Sequence, residues 1–176
     1  MRRYLPVVGT IAVLLASVLP AQEVSPLSRG YVDFEPLSTV SASRGKSTPV
    51  QFTFHIKSGY HINSSKPLEP ELIPTSLTFS LPPDVVIAKV QYPAGELTSF
   101  PFDPSQKLSV YTGDVNVKAV ILPTTKASTG NYTVHGEFKY QACDNNACYP
   151  PKKLPVQFDV KILAGAGKRA QTPRIR

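Results

Sequence analysis

The sequence predicts an all-β protein, an antiparallel β-sandwich of six or seven short strands. Three observations favour it: apolar and polar residues alternate along most of the chain, turn-forming residues separate the alternating runs, and no segment repeats apolar residues at helical spacing. The 18 prolines also disfavour long helices. With 176 residues, 41% of them hydrophobic and 18% charged, the chain suits one globular domain and is not of the disordered class.

Seven segments carry the strand pattern. In chain order the predicted strands are 31–40, 50–56, 77–81, 85–92, 115–121, 132–140 and 154–162. The alternation is clearest in four of them, where the apolar positions are Val50, Phe52, Phe54 and Ile56; Val115, Val117, Ala119 and Ile121; Tyr132, Val134, Phe138 and Tyr140; and Leu154, Val156, Phe158, Val160 and Ile162. Turn signals separate the strands at 43–46, 57–59, 82–84, 93–95, 112–114, 127–130 and 150–151. Such alternation leaves one strand face in water, as antiparallel sheets allow.

The N-terminus has the order of a secretory signal peptide over residues 1–21. Two arginines precede an apolar run at 4–19, and Pro20-Ala21-Gln22 follows it. The run is short for a membrane-spanning helix, which needs about 20 residues. We therefore expect an exported protein with its folded domain over 22–163, and an uncleaved N-terminal anchor is the alternative.

The net charge of +7 lies mainly at the two ends of the chain. Arg2 and Arg3 belong to the signal segment, and four basic residues fall in a tail over 164–176, which leaves the body almost neutral. A basic tail after a Gly/Ala stretch is typical of a solvated, flexible terminus. We expect no nucleic-acid partner, and we expect a monomer.

Sequence motifs for most catalytic chemistry are absent: there is no GxGxxG, P-loop, HExxH or GxSxG pattern. His55, His61 and His135 are too dispersed to indicate a metal cluster, and two of them, His55 and His135, occupy polar positions of alternating strands. We expect those two to face solvent, and we expect neither a metal nor an organic cofactor.

Cys143 and Cys148 are the only cysteines, and four residues separate them at a turn between two predicted strands. The polar insert brings the loop ends together, so the sulfurs can bond in an exported protein. As a staple, a ring of about six residues stabilises the fold by only about 2 kcal/mol. The spacing of four residues matches neither the redox turn of thioredoxins nor a zinc-binding motif. A disulfide at a loop tip is accessible to the thiolate of another protein. Redox exchange and a local staple remain the two alternatives from chemistry alone.

The surroundings of the cysteines resemble a known family. Tyr140-Gln141-Ala142-Cys143, followed after four residues by Cys148-Tyr149-Pro150-Pro151, resembles the redox loop of the N-terminal periplasmic domain of DsbD, the thiol:disulfide interchange protein. The segments 59–63, 72–75, 92–93 and 109–111 fall in the order expected of shorter relatives, and the resemblance spans about residues 30–163. It implies an immunoglobulin-like sandwich with a redox-loop hairpin.

The resemblance also implies roles for individual residues. Cys148 matches the cysteine that forms mixed disulfides with partners, and Cys143 matches its resolving cysteine. Phe102, with Phe100 as second choice, lies in the stretch whose aromatic residue caps the disulfide. His61 and Asn63 stand where the best-known members have tyrosines near the cysteines, and Tyr149 is a further neighbour.

The function implied is that of a protein-disulfide reductase that works by thiol–disulfide exchange and needs no cofactor. Its electron donor would be a membrane-embedded or thioredoxin-like protein. Its acceptor would be a periplasmic disulfide isomerase or the cytochrome c maturation path. The alternative is a non-enzymatic β-sandwich binding module whose disulfide only fixes a recognition loop.

Overall fold

The computed structural model describes residues 30–101 and 103–165, and within them the regular structure is entirely β. The strands are β1 (Val32–Phe34), β2 (Val40–Ser43), β3 (Thr48–Ile56), β4 (His61–Asn63), β5 (Ser76–Ser80), β6 (Val85–Gln91), β7 (Glu96–Phe100), β8 (Asp103–Tyr111), β9 (Asp114–Pro123), β10 (Gly130–Tyr140), β11 (Ala142–Cys143) and β12 (Lys152–Leu163). The predicted signal peptide at 1–21 and nearly all of the tail at 164–176 lie outside the described residues. The described part contains no helix with the length and hydropathy of a membrane span.

Two four-stranded sheets form a sandwich, with strand orders β1-β3-β9-β6 and β2-β12-β10-β5. Aromatic side chains meet between them: Phe54 of β3 stacks on Phe138 of β10 with ring centroids 3.7 Å apart, and Phe52 packs edge-on against Phe158 of β12 at 5.2 Å. The predicted all-β sandwich is therefore confirmed. Its pairings are antiparallel apart from β2, which lies parallel to β12.

The alternating pattern explains which residues fill the core. Along β9 and β12, buried apolar residues alternate with more exposed ones, so one face of each strand packs against the opposite sheet. His55 and His135 are exposed on β3 and β10, as the pattern predicted.

The first predicted strand is wrong in one respect, because 31–40 is not continuous. Its start is β1, which pairs with β3, and its end opens β2, which pairs with β12 in the other sheet. Glu35-Pro36 lies between the two, and proline lacks the N–H that a continued ladder requires. The segment therefore contributes an edge strand to each sheet of the sandwich.

A third sheet, of order β11-β4-β8-β7, was not predicted from the sequence. It meets the sandwich where the β10–β12 ladder ends at the pair Tyr140↔Lys152. The chain continues from β10 into β11, which pairs with β4 instead of with β12. This change of partner places the segment with both cysteines at the junction of the sandwich and the third sheet.

Candidate functional site

Cys143 and Cys148 form a disulfide at the tip of the β10–β12 hairpin, with their Cα atoms 3.9 Å apart. The loop closes through two backbone hydrogen bonds: the Asp144 N–H donates to the Ala147 carbonyl (3.0 Å), and the Tyr149 N–H donates to the Ala142 carbonyl (2.8 Å). Cys143 ends β11 and is 0% exposed, whereas Cys148 is exposed. The disulfide therefore presents one cysteine to solvent and keeps the other in the interior.

One carboxylate holds the shape of this loop. Oδ1 of Asp144 accepts hydrogen bonds from the N–H groups of Asn146 (2.7 Å) and Ala147 (2.9 Å), and Oδ2 accepts one from the Tyr149 hydroxyl (2.6 Å). The hydrogen bond from the Tyr149 hydroxyl lowers the pKa of Asp144 most, and those from the two backbone N–H groups lower it further. The same carboxylate raises the pKa of Tyr149 to about 12. The sequence analysis did not predict these hydrogen bonds to Asp144, although an Asp at the start of a polar turn typically accepts hydrogen bonds from nearby backbone N–H groups.

Three tyrosines support the C-terminal side of the loop. The Tyr149 ring stacks on the Tyr31 ring with centroids 4.9 Å apart, and the ring centroids of Tyr31 and Tyr60 are 4.7 Å apart. Nζ of Lys152 lies over the Tyr31 ring at 4.7 Å from its centroid, as in a cation–π contact. Tyr149, the predicted neighbour of Cys148, therefore joins the loop to the sandwich, and Tyr31 and Tyr60 were not anticipated.

His61 lies directly across the strand pair from Cys143, because β4 and β11 are antiparallel with the register Cys143↔His61. It is 3% exposed, and its ring stacks on Phe100 with centroids 3.8 Å apart and planes 13° apart. Its Nε2 atom is buried and has no hydrogen-bond partner. Burial lowers the pKa of His61, while the Asp144 carboxylate acts in the opposite direction.

Asn63 acts on the loop through Gln141. Its Nδ2 donates to the Ile73 carbonyl (3.1 Å) and to Oε1 of Gln141 (3.3 Å), and Nε2 of Gln141 donates to the Tyr149 carbonyl (3.2 Å). Asn63 is 1% exposed, so these bonds are largely protected from water. The predicted neighbour Asn63 thus anchors the base of the loop, on the strand that also carries His61.

Phe100, the second choice for an aromatic cap, ends β7 and is 9% exposed. It packs with Leu108, Val110 and Leu72 in a small apolar cluster of the third sheet. The β7–β8 hairpin thereby brings it onto His61. Phe102, the first choice, lies outside the described residues.

The remaining histidines lie apart from the loop. Nδ1 of His55 is 2.7 Å from Oδ1 of Asp114, and this hydrogen bond raises the pKa of His55. Among residues 30–101 and 103–165 no group of three or more His, Cys, Asp or Glu side chains is placed to hold a metal ion.

The chain is similar to one family of known proteins in sequence and to solved structures in fold. Residues 30–159 match the family model described as "Thiol:disulfide interchange protein DsbD, N-terminal". The reduced DsbD N-terminal domain of Neisseria meningitidis is 20% identical, with 63% of this chain and 74% of that chain covered and a TM-score of 0.41. The DsbD N-terminal domain in complex with the PilB N-terminal domain, also from Neisseria meningitidis, gives 21% identity, 63% and 73% coverage and a TM-score of 0.38. No curated protein matches the chain significantly.

The family match covers most of the chain and includes both cysteines. The description names a thiol:disulfide interchange protein, and this chemistry uses a disulfide instead of a cofactor. The all-β sandwich and the Cys143–Cys148 disulfide agree with that description. The chain belongs to the family of N-terminal domains of the thiol:disulfide interchange protein DsbD.

Proposed function

We propose that this chain is an exported thiol–disulfide interchange protein that relays electrons through Cys143 and Cys148 to periplasmic protein disulfides. The observation that carries the proposal is the unequal exposure of the two cysteines at one hairpin tip. Exchange needs one sulfur that a partner can reach and a second one beside it that closes the ring afterwards. Membership in the family supports the same chemistry.

The proposed cycle has two displacement steps. The thiolate of Cys148 attacks an acceptor disulfide, which forms a mixed disulfide and releases one acceptor thiolate. Cys143 then attacks the sulfur of Cys148, which closes the internal disulfide and releases the second acceptor thiolate. A donor dithiol returns the pair to the reduced form by the reverse steps, so electrons pass in pairs and no cofactor takes part.

The partners follow from this chemistry and from the family. The exposed residues 145–148 form a tip that a partner's cysteine can approach. We propose a membrane-embedded or thioredoxin-like donor, and as acceptor a disulfide isomerase or a component of cytochrome c maturation. The proposal includes export directed by residues 1–21, a folded domain over 22–163 and a monomeric state.

Phe100 is the residue that we propose as the cap of the inner side of the site. Its ring covers His61, which is the cross-strand neighbour of Cys143. Because Phe100 is carried by the tip of the β7–β8 hairpin, a small opening of that hairpin would expose His61 and the region around Cys143 together. Docking of a partner is the event proposed to open it. Phe102 lies outside the described residues and remains the first choice for the cap from the sequence.

Exchange with a reduced thioredoxin-like protein tests the proposal directly. We expect the oxidised chain to gain two free thiols, on Cys143 and Cys148, when thiols are counted by alkylation and intact mass. A small exposed model disulfide serves as the control that the reductant is active. If the model disulfide is reduced and the chain stays oxidised, the disulfide is structural and the chain is better explained as a binding module.

A further inference from the structure

His61 is placed for a role that the proposed exchange does not yet use. Residues directly opposite in an antiparallel pair have Cβ atoms about 4.5–5.5 Å apart and side chains on the same face, which applies to His61 and Cys143. Both are buried, at 3% and 0% exposed. Nε2 of His61 has no hydrogen-bond partner while the disulfide is closed. A buried nitrogen without a partner, on the cross-strand neighbour of a cysteine that becomes a thiol on reduction, points to a site for that thiol's proton.

The resolving step needs such a group. Cys143 can attack only as a thiolate, and a thiol in an interior position ionises less readily than one in water. A neutral imidazole has one ring nitrogen free to accept a proton. While the β7–β8 hairpin is closed, the stack on Phe100 fixes the plane of the His61 ring, so that its orientation does not depend on a hydrogen bond to solvent.

We propose that His61 is the general base for Cys143, an inference that rests on the proposed exchange function. In the resolving step Nε2 takes the proton of the Cys143 thiol while Sγ of Cys143 attacks Sγ of Cys148. The Cys143–Cys148 bond forms, the bond between Cys148 and the partner breaks, and the partner leaves as a thiolate with the electron pair. In the reverse direction the imidazolium returns the proton to the departing Cys143 thiolate.

The groups around His61 set the pH at which it can act. From β11 it faces Cys143, from β7 the apolar ring of Phe100, and from the redox loop the carboxylate of Asp144. Among the described residues Asp144 is the charged group that acts on His61, and it only partly offsets the effect of burial, which is the larger one. The imidazole is therefore neutral and able to accept a proton at pH 7.

The experiment separates the two steps with oxidised glutathione as the acceptor. Reduced protein is mixed with excess reagent, quenched with acid at set times, and analysed by intact mass, which distinguishes dithiol, glutathione adduct and internal disulfide. The resolving rate is the conversion of adduct to internal disulfide. For wild type we expect this rate to rise with pH through a pKa below 6.5, the ordinary value for histidine, and then to level off near neutrality.

Two substitutions remove the base: His61→Phe preserves an aromatic ring against Phe100, and His61→Gln preserves a polar group without a basic nitrogen. In both we expect the resolving step at pH 7 to slow by about 100-fold, the lower end for general-base catalysis, and its rate to rise steadily into the alkaline range. Formation of the adduct by Cys148 should be unchanged. His135→Gln, at an exposed position on β10, is the matched control and should behave as wild type.

The outcomes distinguish failure of the general-base role of His61 from failure of the proposed exchange function. If neither adduct nor internal disulfide forms in wild type, the exchange function itself fails. If the wild-type protein completes the exchange but its resolving rate rises continuously with pH, with no plateau, His61 is not the base. This test uses the wild-type protein alone, so it does not depend on whether a variant folds. Equal resolving rates in wild type, His61→Phe and His61→Gln would also overturn the inference.

Discussion

Replacing Cys148 by Ser is expected to abolish reaction of the protein with oxidised glutathione, whereas replacing Cys143 by Ser is expected to leave a stable adduct on Cys148. The reason is the difference in exposure: Cys148 is open to solvent and Cys143 is 0% exposed behind it. In Cys143→Ser no internal thiol remains to displace glutathione, so the adduct accumulates. Intact mass after alkylation of free thiols identifies both products.

The two variants serve as controls for each other, since each retains one thiol and the same fold-determining residues. Circular dichroism and thermal unfolding establish that both are folded before reactivity is compared. Adduct formation on Cys143 in Cys148→Ser, as fast as on Cys148 in Cys143→Ser, would contradict the assignment of the attacking cysteine.

Asp144→Ala is expected to make the disulfide easier to reduce. The carboxylate accepts three hydrogen bonds that hold the loop in the shape in which the two cysteines meet. Without them the reduced loop spreads, and the thiols meet less often. We expect a tenfold change in the equilibrium constant for reduction, which corresponds to a rise of about 30 mV in the reduction potential.

Asp144→Asn and Tyr149→Phe separate the contributions to this effect. The amide oxygen of Asn can still accept from the N–H groups of Asn146 and Ala147, so Asp144→Asn should shift the potential less than Asp144→Ala. Tyr149→Phe removes only the hydroxyl bond to Asp144 and keeps the ring stacked on Tyr31. Equilibration with glutathione buffers gives each potential. An unchanged or lower reduction potential in Asp144→Ala would contradict a role of the Asp144 hydrogen bonds in holding the cysteines together.

The long strands β3, β9 and β12 of the sandwich could be predicted because each buries one face, so the period of two is visible in the sequence. The short strands β1 and β2 lack this pattern and were predicted as one strand. The third sheet could not be predicted in the same way. β4 has only three residues, and all three are buried, so it shows no alternation. β7 carries an exposed Leu97, and β8 has a proline at its second position among several polar residues. The pairing of β4, β7 and β8 depends on contacts between residues far apart in the sequence, and the local alternation of apolar and polar residues does not predict such contacts.

The cysteine loop itself was evident from spacing and turn residues, but its surroundings were not. Asp144 and Tyr149 are five residues apart, and their hydrogen bond exists because the loop folds back on itself. Burial of His61 depends on Phe100 from the β7–β8 hairpin, which the pattern did not reveal. Tyr31 reaches the loop from the position just before β1, more than 100 positions earlier in the sequence.

The reduction potential of Cys143–Cys148 in the purified protein tests the central claim most directly. It is obtained by equilibrating the protein with glutathione buffers of known ratio and counting free thiols at each ratio. Structural disulfides typically lie below about −300 mV, while labile and catalytic ones lie higher. We expect a value well above that limit, as a working electron carrier requires. A pair that stays oxidised across the whole series would contradict the exchange function and identify the disulfide as a structural element of a binding loop.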